Sequence, residues 1–504
     1  MPPVWRPLRP PTHSLGSRNT GPGSAQVTVW VAWVGCLCLA GALAVLLAWP
    51  LMRVPLLTRW DYNEGWNAYH AREAIRGEPL YRPDLTPVNY PPLSFYLVGG
   101  AGQIFGNYVI AGRVISILSF AVSSLGVGLI VATMGGSIGA AAIGGFLAAA
   151  LIAAVAPGYI GMNDPELLAH AFLLTALMIY VRRAGRNETR VLWAVAALVS
   201  VGLFIKHNPL AVPLAITWDL RRDRRSLATW CMALGTILSL MVVVTQLGSG
   251  ATFIPQLLQP RIVSWAQWQR VTVFTFSLIK PVCLAVAICL VLGYGDRRRS
   301  IVAAYFAASV GVGMLFAAGD GTYRNVYFDS LFAMSIAVGV QLASWRAQPL
   351  RYAALIVLVL WSPVRLAAAA APRQERLREE ARELEPAMAQ DIRFLSGVND
   401  PVLCETLVLC FAAGRAFTFD PFVISQQVLT GRRDEQSVLR LIESHHFAAI
   451  QLDNHLPDTY TASSGSYTRD VVARGLFTEN ILTAIGRYYR VARSSASGDI
   501  LLPR

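Results

Sequence analysis

Four polar clusters interrupt an otherwise apolar chain: Asp61-Tyr62-Asn63-Glu64, Asn163-Asp164-Pro165-Glu166, Lys206-His207-Asn208 and Asp320-Gly321-Thr322-Tyr323-Arg324-Asn325. A positioned carboxylate suits removal of a proton from an attacking hydroxyl. Asp61 is the first candidate for that role and Glu64 the second. Lys206, His207 and Arg324 bring basic side chains, which suit anionic groups, to the third and fourth clusters. Asp164 and Glu166 offer oxygen ligands that would suit a divalent cation, Mg²⁺ or Mn²⁺. Each group also has a plain structural use. Asp61 can cap a helix beginning at Tyr62, with Glu64 in its first turn. Asp164 can cap another, because Asp-Pro-Glu puts proline at the first helical position. Glu166 and His170 share a helix face, and Lys206 can snorkel to an interface.

The first cluster opens the stretch Trp60–Leu93, a long polar, aromatic-rich loop that closes on Tyr90-Pro91-Pro92. Long ordered loops of this kind usually carry binding or chemistry. The elements around it are membrane spans. Of 504 residues, 54% are hydrophobic and 14% charged, and mean hydropathy is +0.46. Soluble domains carry about 25% charged residues, so the deficit marks an α-helical polytopic membrane protein. The net charge of +13 comes from arginines clustered between apolar runs. That pattern reads as topology and excludes a nucleic-acid surface. The seven cysteines form no CxxC pair and imply no zinc or iron–sulfur site.

Residues 1–26 read as a disordered cytoplasmic tail and 27–371 as the membrane domain, with its first outer loop at 50–108. The first span is uncleaved, because its apolar run is too long for a signal peptide. Placing each arginine cluster inside gives about 11 spans. Beyond the first they fall near 109–133, 139–156, 166–181, 191–205, 209–220, 228–247, 273–293, 300–318, 330–344 and 352–369. Residues 92–105 are too short to cross and are expected to form an interfacial or re-entrant helix. The pair 191–205 and 209–220 is expected to be a hairpin with Lys206-His207-Asn208 at a tip facing a wet cavity. Trp265 and Trp268 read as interfacial belt aromatics. Asp219 and Asp223 fall inside among arginines and receive no role.

Beyond 371 the composition changes. Arg373–Glu385 is a charged helical linker, and residues 372–504 read as a soluble extracytoplasmic α/β domain. Strands are expected at Pro401–Leu409 and Phe447–Leu452, a helix at Ser437–Glu443, and a terminal hairpin at Tyr488–Ala492 and Asp499–Leu502. Cys404 and Cys410 would lie in an oxidising compartment, but their strand-like setting weighs against pairing.

With arginines inside, all four polar clusters fall on the outer side. Ionisable groups at membrane depth are costly, so such clustering favours a site. In order and spacing, residues 27–370 resemble the multispanning GT-C glycosyltransferases, in the branch of protein O-mannosyltransferases and lipid A aminoarabinose transferase. The residues that carry the resemblance are Asn63-Glu64-Gly65 with Gly77, Tyr90-Pro91-Pro92-Leu93, Phe105-Gly106, Arg113 and Asp164-Pro165-Glu166. One departure matters: the usual Asp-Glu pair reads Asn63-Glu64, with an aspartate displaced to position 61. The outer domain, with Pro401-Val402-Leu403, Ala413-Gly414-Arg415 and Asp420-Pro421, looks like that of uncharacterised bacterial members.

The resemblance implies inverting transfer of a sugar from a polyprenyl-phosphate donor to an extracytoplasmic hydroxyl of a glycolipid, polysaccharide or protein. It implies a bacterial inner membrane, and Arg6, Arg9 and Arg18 place the N-terminus in the cytoplasm. Asp61 or Glu64 would be the base. Asn63, Tyr90, Arg113, Lys206, His207, Asn208, Arg324 and Asn325 would bind substrate, and Asp164 and Glu166 are the candidate metal ligands. The competing classes are a transporter or flippase of lipid-linked saccharides and a non-catalytic glycolipid-binding relative. Transporters typically show internal repeats and a midplane site, and neither is legible here.

Overall fold

The computed structural model describes residues 22–58, 60–82, 84–183, 188–249, 252–293, 296–453 and 476–504. The proposed tail therefore lies mostly outside the described residues. Helix α1 (Pro22–Arg53) begins five residues before the expected start of the membrane domain at residue 27.

The chain then runs through α2 (Tyr62–Arg76), α3 (Leu93–Phe105), α4 (Tyr108–Thr133), α5 (Ile138–Val155), α6 (Glu166–Val181), α7 (Glu188–Ile205), α8 (Ala211–Leu220) and α9 (Arg224–Ser249). After these come α10 (Phe253–Leu257), α11 (Trp265–Leu278), α12 (Lys280–Leu292), α13 (Arg297–Phe316), α14 (Phe328–Ser344) and α15 (Pro349–Ala368). Among the described residues eight helices are long and apolar enough to cross a membrane, or nine if α11 and α12 count as one span. That last pair bends by 79°, because Pro281 at the start of α12 supplies no amide hydrogen to continue the ladder.

Helices α6 and α8 are apolar but have only 16 and 10 residues. At about 1.5 Å per residue neither covers the ~30 Å hydrocarbon core. Helix α7 starts earlier than expected and reaches 18 residues. The 191–220 region is thus one full-length helix and one short one, rather than a symmetric hairpin. Helix α3 has 13 residues and fits the expected short helix.

The bundle buries one continuous apolar core centred on α5 and α14. A second core joins α2 and α3 to the outer domain through Trp66, Tyr69, Leu407 and Phe417. Gly65 is what allows the approach: a Cβ there would lie 2.2 Å from the Val408 amide nitrogen.

The linker continues through α16 (Ala371–Glu379), a π-helical turn (Glu380–Leu384) and α17 (Glu385–Ser396). Two contacts tie it to the end of α1: Arg53 pairs with Glu380, and the Leu57 amide donates to Glu385 at 3.2 Å. The outer domain follows as β1 (Val402–Cys404), α18 (Leu407–Ala412), α19 (Pro421–Leu429), α20 (Glu435–Glu443), β2 (Ala449–Leu452), α21 (Glu479–Tyr488), β3 (Tyr489–Ser495) and β4 (Gly498–Pro503). Its sheet runs β1-β2-β4-β3, with β1 parallel to β2 and the other pairs antiparallel. A parallel pair needs a crossover, supplied by α18 to α20. The terminal hairpin appears as expected.

The strand expected over Pro401–Leu409 stops at Cys404, and the chain turns into helix at Leu407. That reversal brings Cys404 and Cys410 into a disulfide with Cα atoms 6.1 Å apart. The expectation against pairing is therefore corrected: a continuous strand would have carried the two thiols apart, whereas the helix folds them together.

Candidate active site

Helix α2 sets the first edge of the site. Asp61 caps it in extended backbone conformation and accepts a hydrogen bond from the Asn63 amide at 3.0 Å. The helix stops at Gly77, whose left-handed φ of 71° closes the last turn. Asp61 and Asn63 line a cavity of about 390 Å³, but Glu64 does not. One turn inward, Glu64 is fully buried and receives two hydrogen bonds from Arg113 of α4, at 2.8 and 2.7 Å. Arg113 also donates to the Val54 and Leu56 carbonyls at 2.7 and 2.8 Å. Geometry thus places Glu64 and Arg113 in a clamp joining α2, α4 and the end of α1, away from the cavity wall.

The same clamp orders the segment before α6. The Asn163 amide donates to Glu64 at 3.2 Å, and its side chain donates to the Glu64 carbonyl at 3.1 Å. Asn67 donates in return to the Asn163 carbonyl at 2.9 Å. These bonds fix Asp164 in the cavity facing Asp61. Gly112 provides the room, since a Cβ there would overlap the Asn163 side chain at 1.8 Å.

Lys206 enters from the break between α7 and α8. Its ammonium lies 3.2 Å from Asp164 and 2.8 Å from Glu166, with the Tyr90 ring at 4.8 Å. All three ionic side chains are nearly fully buried. Asn325 completes the arrangement by donating to Glu166 at 2.7 Å and accepting from the Tyr159 hydroxyl at 3.0 Å. Asp164 and Glu166 therefore do not fit the divalent-cation pair expected from the sequence. An ammonium bridges them, and a metal would have to displace it. Among the described residues no group of three or more metal-ligating side chains is arranged to hold an ion.

His207 and Asn208 also line the cavity. Three buried polar atoms of its wall, Asp164 Oδ2, His207 Nδ1 and Asn208 Oδ1, have no protein hydrogen-bond partner. Buried polar groups are rarely left unpaired, so orphans gathered at one cavity point to a polar ligand. Arg324 is placed elsewhere. It donates to the Val155 carbonyl at 2.6 Å, with its guanidinium 4.1 Å from the Phe274 ring, and it is not in the cavity wall. Tyr90 and Asn325 do line the cavity.

Sequence reasoning missed Tyr62, Tyr159, Arg261 and Phe422, all in the wall. Arg261 carried a usable signal: it is an arginine set apart from the arginine clusters at the opposite helix ends. Its guanidinium donates to the Asp320 carbonyl at 3.3 Å and lies 5.5 Å from the Phe422 ring. Phe422 belongs to the outer domain, which closes the cavity mouth. Gln426 accepts from the Ile262 amide at 3.0 Å and donates to Asp320 at 2.8 Å. Asp420 pairs with the Tyr62 hydroxyl and accepts from Trp66 at 2.9 Å. Trp265 and Trp268 stack at 4.6 Å outside the cavity.

Burial pushes the Asp61 carboxyl up to about 6, helped by the nearby carboxylates of Asp164 and Glu64. This suits a base that must take a proton and later release it near neutral pH.

The helical bundle holds this cavity beneath the C-terminal α/β domain, and among the described residues eight of its helices are long and apolar enough to cross a membrane. Residues 89–248 match the family model described as dolichyl-phosphate-mannose-protein mannosyltransferase. The fold is similar to ArnT from Cupriavidus metallidurans bound to undecaprenyl phosphate, with TM-score 0.58 and 14% identity over 93% of this chain and 97% of that one. It is also similar to the Archaeoglobus fulgidus oligosaccharyltransferase AglB in complex with an inhibitory peptide and a dolichol-phosphate, with TM-score 0.51 and 12% identity over 97% and 75%. Another structure of the Archaeoglobus fulgidus enzyme is a complex with Zn and sulfate, TM-score 0.51 and 12% identity over 92% and 72%. No curated protein sequence matches the chain.

Proposed function

We propose that the protein transfers a sugar from a polyprenyl-phosphate donor to a hydroxyl of an extracytoplasmic acceptor, with Asp61 as general base. One observation carries this reading: the partly accessible Asp61 shares a cavity with orphaned polar atoms and a cation whose described contacts include no carboxylate, Arg261. The acceptor oxygen attacks the anomeric carbon as its proton passes to Asp61. The carbon–oxygen bond to phosphate breaks, and its electron pair leaves with the prenyl phosphate. Arg261, aided by His207, bears the charge on that phosphate. Lys206 is engaged by two carboxylates, so it serves chiefly to hold Asp164 and Glu166 in place. Asp164 Oδ2 accepts a hydroxyl of the sugar or acceptor, and Asn63, Asn208 and Tyr90 complete the binding surface.

The arginine clusters Arg221/Arg222/Arg224/Arg225 and Arg346/Arg351 lie at the helix ends opposite this cavity, which supports an extracytoplasmic site in a bacterial inner membrane. The test uses purified protein, a radiolabelled polyprenyl-phosphate sugar and a membrane extract as acceptor. Asp61→Asn is expected to lower transfer at least ~100-fold, and Arg261→Ala to raise the donor KM. Wild-type transfer by Asp61→Asn would remove the proposal.

A further inference from the structure

A second cavity, of about 600 Å³, opens at the other end of the helices that frame the site. Ser300 near the start of α13 lines it, whereas Phe316 at the end of α13 lines the first cavity. These positions are separated by roughly 24 Å of helix at 1.5 Å per residue. Helix α8 likewise runs from the Lys206-His207-Asn208 break to Arg221 and Arg222 at this second cavity.

The walls are apolar and small. Ala303 and Ala307, four residues apart, share one exposed face of α13. The rim is cationic: Arg221, Arg222 and Arg299 face a single acid, Asp296. Two of the cations are held in position. Arg299 lies 3.2 Å from Asp296 and donates to the Gln341 side chain at 2.6 Å. The Arg221 guanidinium stacks 3.7 Å from the Trp218 ring. Trp218 of the wall, and Val291 and Leu292 outside it, are each more than half exposed, as expected of a surface facing lipid.

We infer that this cavity is a binding site for one anionic phospholipid of the leaflet on the arginine-rich side. The phosphate sits among Arg221, Arg222 and Arg299, and an acyl chain lies in the alanine-lined groove of α13. Two features select this occupant. A cationic rim above an apolar groove complements a molecule with a negative head and a hydrocarbon tail. Basic pockets between membrane helices on that side bind lipid head groups for the same reason. The inference does not depend on the transfer reaction. A lipid there would brace α8, α13 and α14 from below, since all three also reach the first cavity or its polar network.

The full-length protein in detergent is titrated with phosphatidylglycerol, phosphatidylcholine or inorganic phosphate and followed by native mass spectrometry. Phosphatidylglycerol is expected to give one strongly retained copy, held at least tenfold more tightly than phosphatidylcholine. Arg221→Ala with Arg222→Ala should weaken that copy about 30-fold, at roughly fivefold for each arginine. Ala307→Phe, at an exposed position, should fill the groove and displace the lipid while leaving all three arginines intact. Equal retention of the two lipids, or wild-type affinity in both variants, overturns the site. Full competition by inorganic phosphate at equal concentration overturns a lipid as its occupant.

Discussion

Asp61 and Glu64 stand one helical turn apart, yet the fold gives them opposite surroundings. Glu64 meets a guanidinium in the dry interior, while Asp61 caps the helix and faces the cavity. Two outcomes separate them. With burial pushing Asp61 to about 6, the base is protonated and idle below that pH. Transfer (kcat/KM) should therefore rise about tenfold per pH unit up to 6 and level off above it. Asp61→Asn should abolish this limb with little change in Tm, because asparagine caps a helix about as well as aspartate. Glu64→Gln should instead cost about 3 kcal/mol, since it strips a buried guanidinium of its counter-charge. Thermal unfolding would register that loss even where activity survived.

At the scale of elements, close backbone approaches position the site. Helix α2 lies directly against α18 because Gly65 has no side chain, and α4 admits Asn163 because of Gly112. Gly65→Ala should push α2 from the outer domain, destabilising the protein by about 1–3 kcal/mol. It should also lower transfer, because Asp61 rides on α2. Normal Tm and normal activity together would show that the contact is not needed. The sequence made the N-terminal cap of α2 visible through Asp61, since capping is local chemistry, whereas the left-handed stop at Gly77 emerged from the structure. It did not show the turn into helix after Cys404, because the residues there are good strand formers and tertiary packing overrode that preference.

At the scale of the molecule, the outer domain is part of the site rather than an appendage. Asp420 joins Tyr62 and Trp66, and Gln426 ties down the loops bearing Arg261 and Asp320. Asp420→Ala would leave the Trp66 indole and the Val423 amide, both buried, and the half-buried Tyr62 hydroxyl without their acceptor, at about 1–3 kcal/mol for each buried donor. Faster limited proteolysis near the 371–396 linker, with weakened transfer, is the expected result. Topology belongs to this scale as well. Reporters fused after residues 190 and 371 should report opposite sides of the membrane, and matching sides would contradict an extracytoplasmic cavity.

By itself the sequence determined the membrane character, the number of apolar segments to within the short helices, and that the polar clusters gather at one end of the helices. Hydropathy, arginine placement and helix capping are written locally. Only the tertiary structure decided which carboxylate faces the cavity, that Lys206 lies between Asp164 and Glu166, and that Arg261 and Phe422 complete the wall. Those outcomes depend on which helices approach closely and on which charge each buried group meets, and chain order alone does not specify such partners.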